Sequence, residues 1–270
     1  MKKLVLASAI AAGLGLANSA SAINLGGIET PGGVHFEVAS IYENTVANIG
    51  DVLTGYGEVT QINGNGNFCA AGPFLCELTY TFGGFTVAQI LPTEVVFTGG
   101  WVNFYVGTGA TNDFNPFTSA SQAEDIAEAS NGALWLTLAG HPNLVLTNNF
   151  GFQNAALVGT GNQIGSGGND VGTGTGLFDV DFTGLANGNT AGAGAIANGN
   201  FDTDGLNDNI GGTADFTFTS SFGTAVPPPH GQTALGGSAD VRGKVIPEPA
   251  TLGLLGLGLL GLGAARRRKV

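Results

Sequence analysis

Glycine sets the first limit on what this chain can fold into: 47 of its 270 residues are glycine, and forty of those lie within residues 23–246. A glycine inside a helix costs about 1 kcal/mol relative to alanine, which disfavours long helices across the stretch. Short strands joined by tight turns remain. The apolar pattern agrees. Val34, Phe36 and Val38 alternate with His35 and Glu37, and Cys76, Leu78, Tyr80 and Phe82 alternate with Glu77, Thr79 and Thr81. Phe178, Val180 and Phe182 alternate with Asp179, Asp181 and Thr183, while Ala214, Phe216 and Phe218 alternate with Asp215, Thr217 and Thr219. A period of two sends one row of side chains into a core and the other toward water. Residues 95–97, 101–106 and 134–138 are apolar on both faces, as central strands are. The prediction is an all-β chain folded as an antiparallel β-sandwich, jelly-roll-like in character.

One stretch departs from the pattern. Ser121-Gln122-Ala123-Glu124 has capping-box spacing and predicts a short helix over residues 119–130, stopped by Asn131-Gly132. Such a helix would cross between sheets or cap one end of the sandwich. Residues 159–176 and 186–200 are rich in glycine, lack aliphatic periodicity and read as long loops. Pro227-Pro228-Pro229 makes a stiff spacer, and alternation over residues 239–246 predicts a final strand.

Both ends carry signals of another kind. Met1-Lys2-Lys3, an apolar run over residues 4–16 and Ala20-Ser21-Ala22 form a secretory signal peptide. Cleavage after Ala22, by signal peptidase behind the Sec translocon, would leave Ile23 as the first mature residue. At the other end stand Pro247-Glu248-Pro249, sixteen uncharged residues over 250–265, and a basic stop of Arg266, Arg267, Arg268 and Lys269. A helix over 250–265 would be roughly 24 Å long against a hydrocarbon layer of roughly 30 Å, so it makes a marginal transmembrane segment. The basic cluster favours the cytoplasmic side and leaves the rest of the chain outside. The chain thus divides into a signal peptide (1–22), a β ectodomain (23–226), a proline-rich spacer with a final strand (227–246) and the C-terminal signal (247–270).

The C-terminal segment resembles the PEP-CTERM sorting domain of Gram-negative bacteria in its proline-glutamate-proline motif, its leucine-glycine helix and its terminal arginines. The resemblance implies recognition by exosortase, a membrane-embedded transpeptidase-like enzyme, and processing near Pro247, Glu248 and Pro249. It also implies delivery to the cell envelope, the outer surface or the extracellular matrix, where such proteins accompany exopolysaccharide, biofilm or floc formation.

Charge narrows the partners. Within residues 23–246, Arg242 and Lys244 are the only basic residues against nineteen Asp and Glu, a balance of −17. Such a surface repels nucleic acid and anionic lipid and attracts cations, so a nucleic-acid role is excluded.

Few residues suggest chemistry. Cys69 and Cys76 flank a Gly-Pro turn in an exported chain and read as a disulfide closing a hairpin. Asn200, Asp202, Asp204 and Asp208, with Gly205 between, have the spacing of Ca²⁺ ligands; an EF-hand loop begun at Asn200 would need glutamate where Gly211 stands. The same residues make ordinary turns, and the turn is the preferred reading. Asp179 and Asp181 share a strand face at a spacing of roughly 6.6 Å, and the reading is a solvated face rather than a glycosidase pair. His35, His141 and His230 are scattered, with His141 before Pro142 in an expected hairpin turn, and neither a Gly-x-Ser-x-Gly nor a His-Glu-x-x-His motif occurs. The expected function is that of a non-enzymatic surface or matrix protein. A calcium-dependent, lectin-like adhesive module is the alternative, and a secreted polysaccharide hydrolase the remote one.

Overall fold

The computed structural model describes residues 23–25, 28–30, 33–69, 75–142, 155–161, 172–183, 194–203, 213–224 and 235–245. The chain opens with β1 (Ile23–Leu25) and β2 (Ile28–Thr30), paired antiparallel as a small sheet of their own. Nine further strands are β3 (Val34–Glu43), β4 (Val52–Ile62), β5 (Cys76–Ile90), β6 (Glu94–Thr108), β7 (Ala133–Gly140), β8 (Leu157–Gly161), β9 (Gly172–Val180), β10 (Phe216–Thr224) and β11 (Leu235–Gly243). Helix α1 (Gln122–Ala129) lies between β6 and β7.

The nine strands form one sheet that closes on itself. From β3 to β7 each strand pairs antiparallel with the next in sequence order, β10 pairs with both β9 and β11, and β11 returns to β3. Strands β7 and β8 share one place in the ring. Residues 101–106 of β6 face β7, and residues 94–97 face β8. On the far side β9 pairs with both in turn. The result is an up-and-down antiparallel barrel of eight strand positions, one of them filled by a strand in two pieces. The expected sandwich is therefore corrected to a barrel. Period-two alternation is the same in a sandwich sheet and in a barrel wall; only the long-range pairing of the last strand with the first separates them.

A second correction concerns residues 159–176, read from composition as loop. Residues 157–161 and 172–180 are strands in the barrel wall. Their glycines stand where neighbours come close: a Cβ on Gly174 would meet Ser220 Oγ at 2.5 Å, and one on Gly176 would meet the Ala156 carbonyl at 3.1 Å. Close approach selects glycine in a wall without making it a loop.

Aromatic rings fill the interior. Phe36 packs against Phe104, Trp135 and Phe216 with ring centroids 5.5, 5.8 and 6.3 Å away, and Phe201 adds to Trp135 and Phe216 at 5.8 and 5.4 Å. Phe201 lies in the segment over residues 194–203, which joins the start of β7 through the Ala197 amide donating to the Trp135 carbonyl at 2.8 Å. This cluster closes one end of the barrel. Strand β4 makes room for other rings: a Cβ on Gly55 would lie 2.3 Å from the Phe82 ring, and one on Gly57 would lie 2.5 Å from the Tyr80 hydroxyl. Small residues opposite large ones let the rings lie across the lumen.

Helix α1 forms where the capping box predicts. Ser121 accepts the Glu124 amide at 3.2 Å, whereas the Glu124 carboxylate turns back to the Ala120 amide, one residue before the cap. The helix packs on the outside of the wall, against β4 and β5. There the Tyr56 hydroxyl donates to buried Asp125 at 2.8 Å, and the Thr79 hydroxyl donates to the Ala129 carbonyl at 2.8 Å. The outer row of β5, Glu77, Thr79 and Thr81, is consequently buried rather than wet.

Cys69 and Cys76 are bonded, with Cα atoms 5.2 Å apart, at the closed end where β5 begins. The loop is short, so the bond restricts the unfolded chain only moderately. Replacing both cysteines with alanine is expected to lower stability by about 2–3 kcal/mol while leaving the fold intact. Thermal unfolding of the oxidised protein and the double variant checks this, and equal midpoints would refute it.

Candidate functional site

The described part of the barrel holds a cavity at the end opposite the aromatic plug. It offers about 60 Å³ of room to the centres of water-sized molecules. At about 10–15 Å³ for each water centre, that is space for roughly four or five waters. Ile41, Leu53, Phe85, Phe97, Leu157 and Phe222 supply much of the wall. Among the described residues that line it, Glu43 is the only one with an ionisable carboxyl.

Strand β3 explains why Glu43 is there. Val34, Phe36 and Val38 face inward, and continued alternation would send Ser40 and Tyr42 inward and Glu43 outward. Between Val38 and Ile41 strand β3 carries one extra residue against β11, while against β4 the irregularity after Val38 is matched by another between Glu37 and Val38, so that both strands bulge together. The extra residue exchanges the two faces beyond it. Ile41 and Glu43 then line the cavity, while Tyr42 packs against Tyr56 outside at 5.4 Å. No motif marked Glu43 in the sequence; the legible signal is the step of three from Val38 to Ile41, which breaks the period of two.

The Glu43 carboxyl makes no hydrogen bond to any described residue, and burial alone pushes its pKa up to about 8. Removing a charged group from water favours its neutral form. Tyr80, the nearby phenol, is also pushed well above its usual range, by burial first and then by the Glu43 and Tyr42 charges. Glu77, on the outer face of β5, is raised to about 7 mainly by burial, partly offset by the Phe114 amide donating to Oε2 at 3.1 Å.

The remaining buried carboxylates hold structure together. Asp215 accepts from the Val180 amide at 2.9 Å and the Thr203 amide at 2.6 Å, tying the closing segment to the wall. Asp181 accepts from the Thr183 amide and hydroxyl at 2.9 and 2.7 Å. Asp179 faces His141, whose Nδ1 lies 2.7 Å from Oδ2 and 2.9 Å from Oδ1. The expected solvated face of Asp179 and Asp181 is thus corrected: they are 4 % and 0 % exposed, and neither lines the cavity. His141, expected in a hairpin turn, is buried in the break between β7 and β8, where its amide donates to the Leu177 carbonyl at 2.8 Å. Sequence reading missed the pair because thirty-eight positions separate its members.

Other predicted sites fall partly or wholly outside the described residues. Asn200 ends a short 3₁₀ turn (Asn198–Asn200), its amide donating to the Ala197 carbonyl at 2.9 Å, and Asp202 comes next but one, half-buried; Asp204 and Asp208 lie outside. Among the described residues no cluster of three or more His, Cys, Asp or Glu could hold a metal ion. Ile23 begins β1, whereas Ala20, Ala22, Pro227-Pro228-Pro229 and His230 lie outside. So do Pro247, Glu248, Pro249, residues 250–265, Arg266, Arg267, Arg268 and Lys269. No helix among the described residues is long and apolar enough to cross a membrane.

Comparison with known proteins bears on those last residues. Residues 245–269 match the PEP-CTERM protein-sorting motif. No curated protein and no solved structure matches the chain. The motif implies export, processing by exosortase and sorting to the cell surface. The chain is thus an antiparallel barrel bearing a surface-sorting signal.

Glu43 makes stability depend on pH in a definite direction. Its folded pKa, about 8, lies above the unfolded value near 4.5. The neutral folded form therefore contributes fully below pH 4.5, and that contribution is lost as pH rises through 8. Glu43→Gln, a neutral isostere, is expected to match wild type near pH 5 and exceed it near pH 9 by roughly 2–4 kcal/mol, since each tenfold change in proton affinity is worth about 1.4 kcal/mol. Denaturant unfolding at the two pH values reads the difference, and parallel stability profiles would refute the assignment.

Proposed function

We propose that the protein is a non-enzymatic component of the bacterial cell surface or extracellular matrix that works in association with exopolysaccharide. The observation that carries the reading is the sorting motif over residues 245–269. It begins two residues after β11 ends at Gly243, so the barrel is the cargo that sorting delivers. The balance of −17 within residues 23–246 supports a role among hydrated glycans rather than against anionic lipid. The segment 250–265 acts as a temporary membrane anchor, and exosortase releases it near Pro247, Glu248 and Pro249.

Replacement of Pro247-Glu248-Pro249 by alanines in the native host tests this. The wild-type protein is expected at the surface or in the matrix without Arg266, Arg267 and Arg268, by intact mass. The variant is expected to stay in the membrane fraction with its tail. Identical masses and fractions for both would overturn the sorting reading. In a strain unable to make exopolysaccharide, the processed protein is expected to move from the matrix to the medium; an unchanged distribution would overturn the polymer association.

A further inference from the structure

The geometry points to the barrel cavity as a binding site for a small hydrophobic amine, with its apolar body between the phenylalanine rings and its ammonium group on the Glu43 carboxylate. The inference stands on the barrel alone and does not depend on sorting or on polysaccharide.

Three observations converge on it. Among the described residues the cavity lies away from the aromatic plug, and its lining is almost wholly aliphatic and aromatic, as small-molecule sites are. The space of four or five waters approximates, at about 30 Å³ of liquid each, the volume of one benzene-sized group. Into this apolar hollow the β3 bulge turns a single carboxyl, 8 % exposed, with no described side chain to receive it. An isolated carboxyl in such a place is a liability for folding and becomes useful once a complementary group arrives.

Charge selects the class of ligand. The acidic surface draws cations toward the mouth and repels fatty acids and other anions. Glu43 is the only carboxyl among the described residues of the wall, so one cationic centre is matched and a dication would leave a charge unpaired. Phenylalanine rings add the favourable attraction of a cation to an aromatic face. Among the described residues Tyr80, on the wall, is the titratable group that couples to Glu43, and its hydroxyl stays neutral at ordinary pH. Pairing with the ammonium group therefore requires Glu43 to release its proton to solvent, and affinity should rise between pH 6 and pH 8.5.

Titration calorimetry of the exported, processed protein with benzylamine, benzyl alcohol and benzoate tests the proposal. Benzylamine is expected to bind saturably, at about 1 mM or tighter. Glu43→Gln should weaken benzylamine at least tenfold while leaving benzyl alcohol within about twofold, since the isostere keeps the cavity and removes the charge. Leu53→Trp should abolish both by filling the space, with thermal melting used to show that it folds. Absence of saturable binding to wild type would overturn the inference. So would equal benzylamine affinity in wild type and Glu43→Gln, or tighter binding of benzoate than of benzylamine.

Discussion

The pairing of β10 with both β9 and β11 is the constraint on which the rest of the structure depends, because it converts an open meander into a ring. An open sheet of this length would expose two edges, each a row of unpaired amides and carbonyls. Closure removes both edges, but it also fixes the volume that side chains must fill. The interior is narrow enough to be packed by side chains, and the sequence meets that demand with phenylalanine, tyrosine and tryptophan set against glycine. Gly55 and Gly57 on β4 yield space to Phe82 and Tyr80 on β5, and Gly100, at φ +94°, yields it to Phe85. The many glycines are therefore the complement of the many rings. Ring closure also explains why the two ends differ: Phe201 and Trp135 fill one, and a cavity remains at the other.

A base-poor barrel must settle its buried acids without ion pairs to lysine or arginine. Asp125, Asp181 and Asp215 do so by accepting hydrogen bonds from amides and hydroxyls, and Asp179 does so through His141. These contacts place structure where alternation along a strand suggests only a wet face. They anchor helix α1 to the outer wall, the closing segment to β9, and the broken strand to its neighbour. Glu43 is the exception, with no hydrogen bond to a described residue, and it rises in pKa to about 8; Glu77, although it accepts an amide, also rises, to about 7. Burial acts in the same direction on both, but their settings differ. Glu77 has an amide donor and lies under the segment that precedes α1, whereas Glu43 faces a cavity.

Delivery and architecture meet at β11. The predicted final strand is a full member of the barrel wall, between β10 and β3. The motif comes directly after it, so little slack separates folded cargo from sorting signal.

The sequence by itself determined what local chemistry can determine. Composition and the period of two settled an all-β antiparallel chain, Ser121 and Glu124 settled one short helix, and Cys69 and Cys76 settled a bridge. Pro247, Glu248, Pro249 and the residues after them settled the sorting motif, because the order of residues along the chain is itself the signal. The tertiary structure alone decided barrel over sandwich, since β3 and β11 are about two hundred residues apart and alternation carries no record of which strand a wall residue will pair with. It decided that Gly174 and Gly176 belong to a wall, because the neighbours that require them, Ser220 and Ala156, come from other parts of the chain. It decided that Asp179 meets His141 rather than water. And through one extra residue in β3 it decided that Glu43 turns inward: a bulge exchanges the faces of everything beyond it, and which residue is extra is fixed only by the register of the strands on either side.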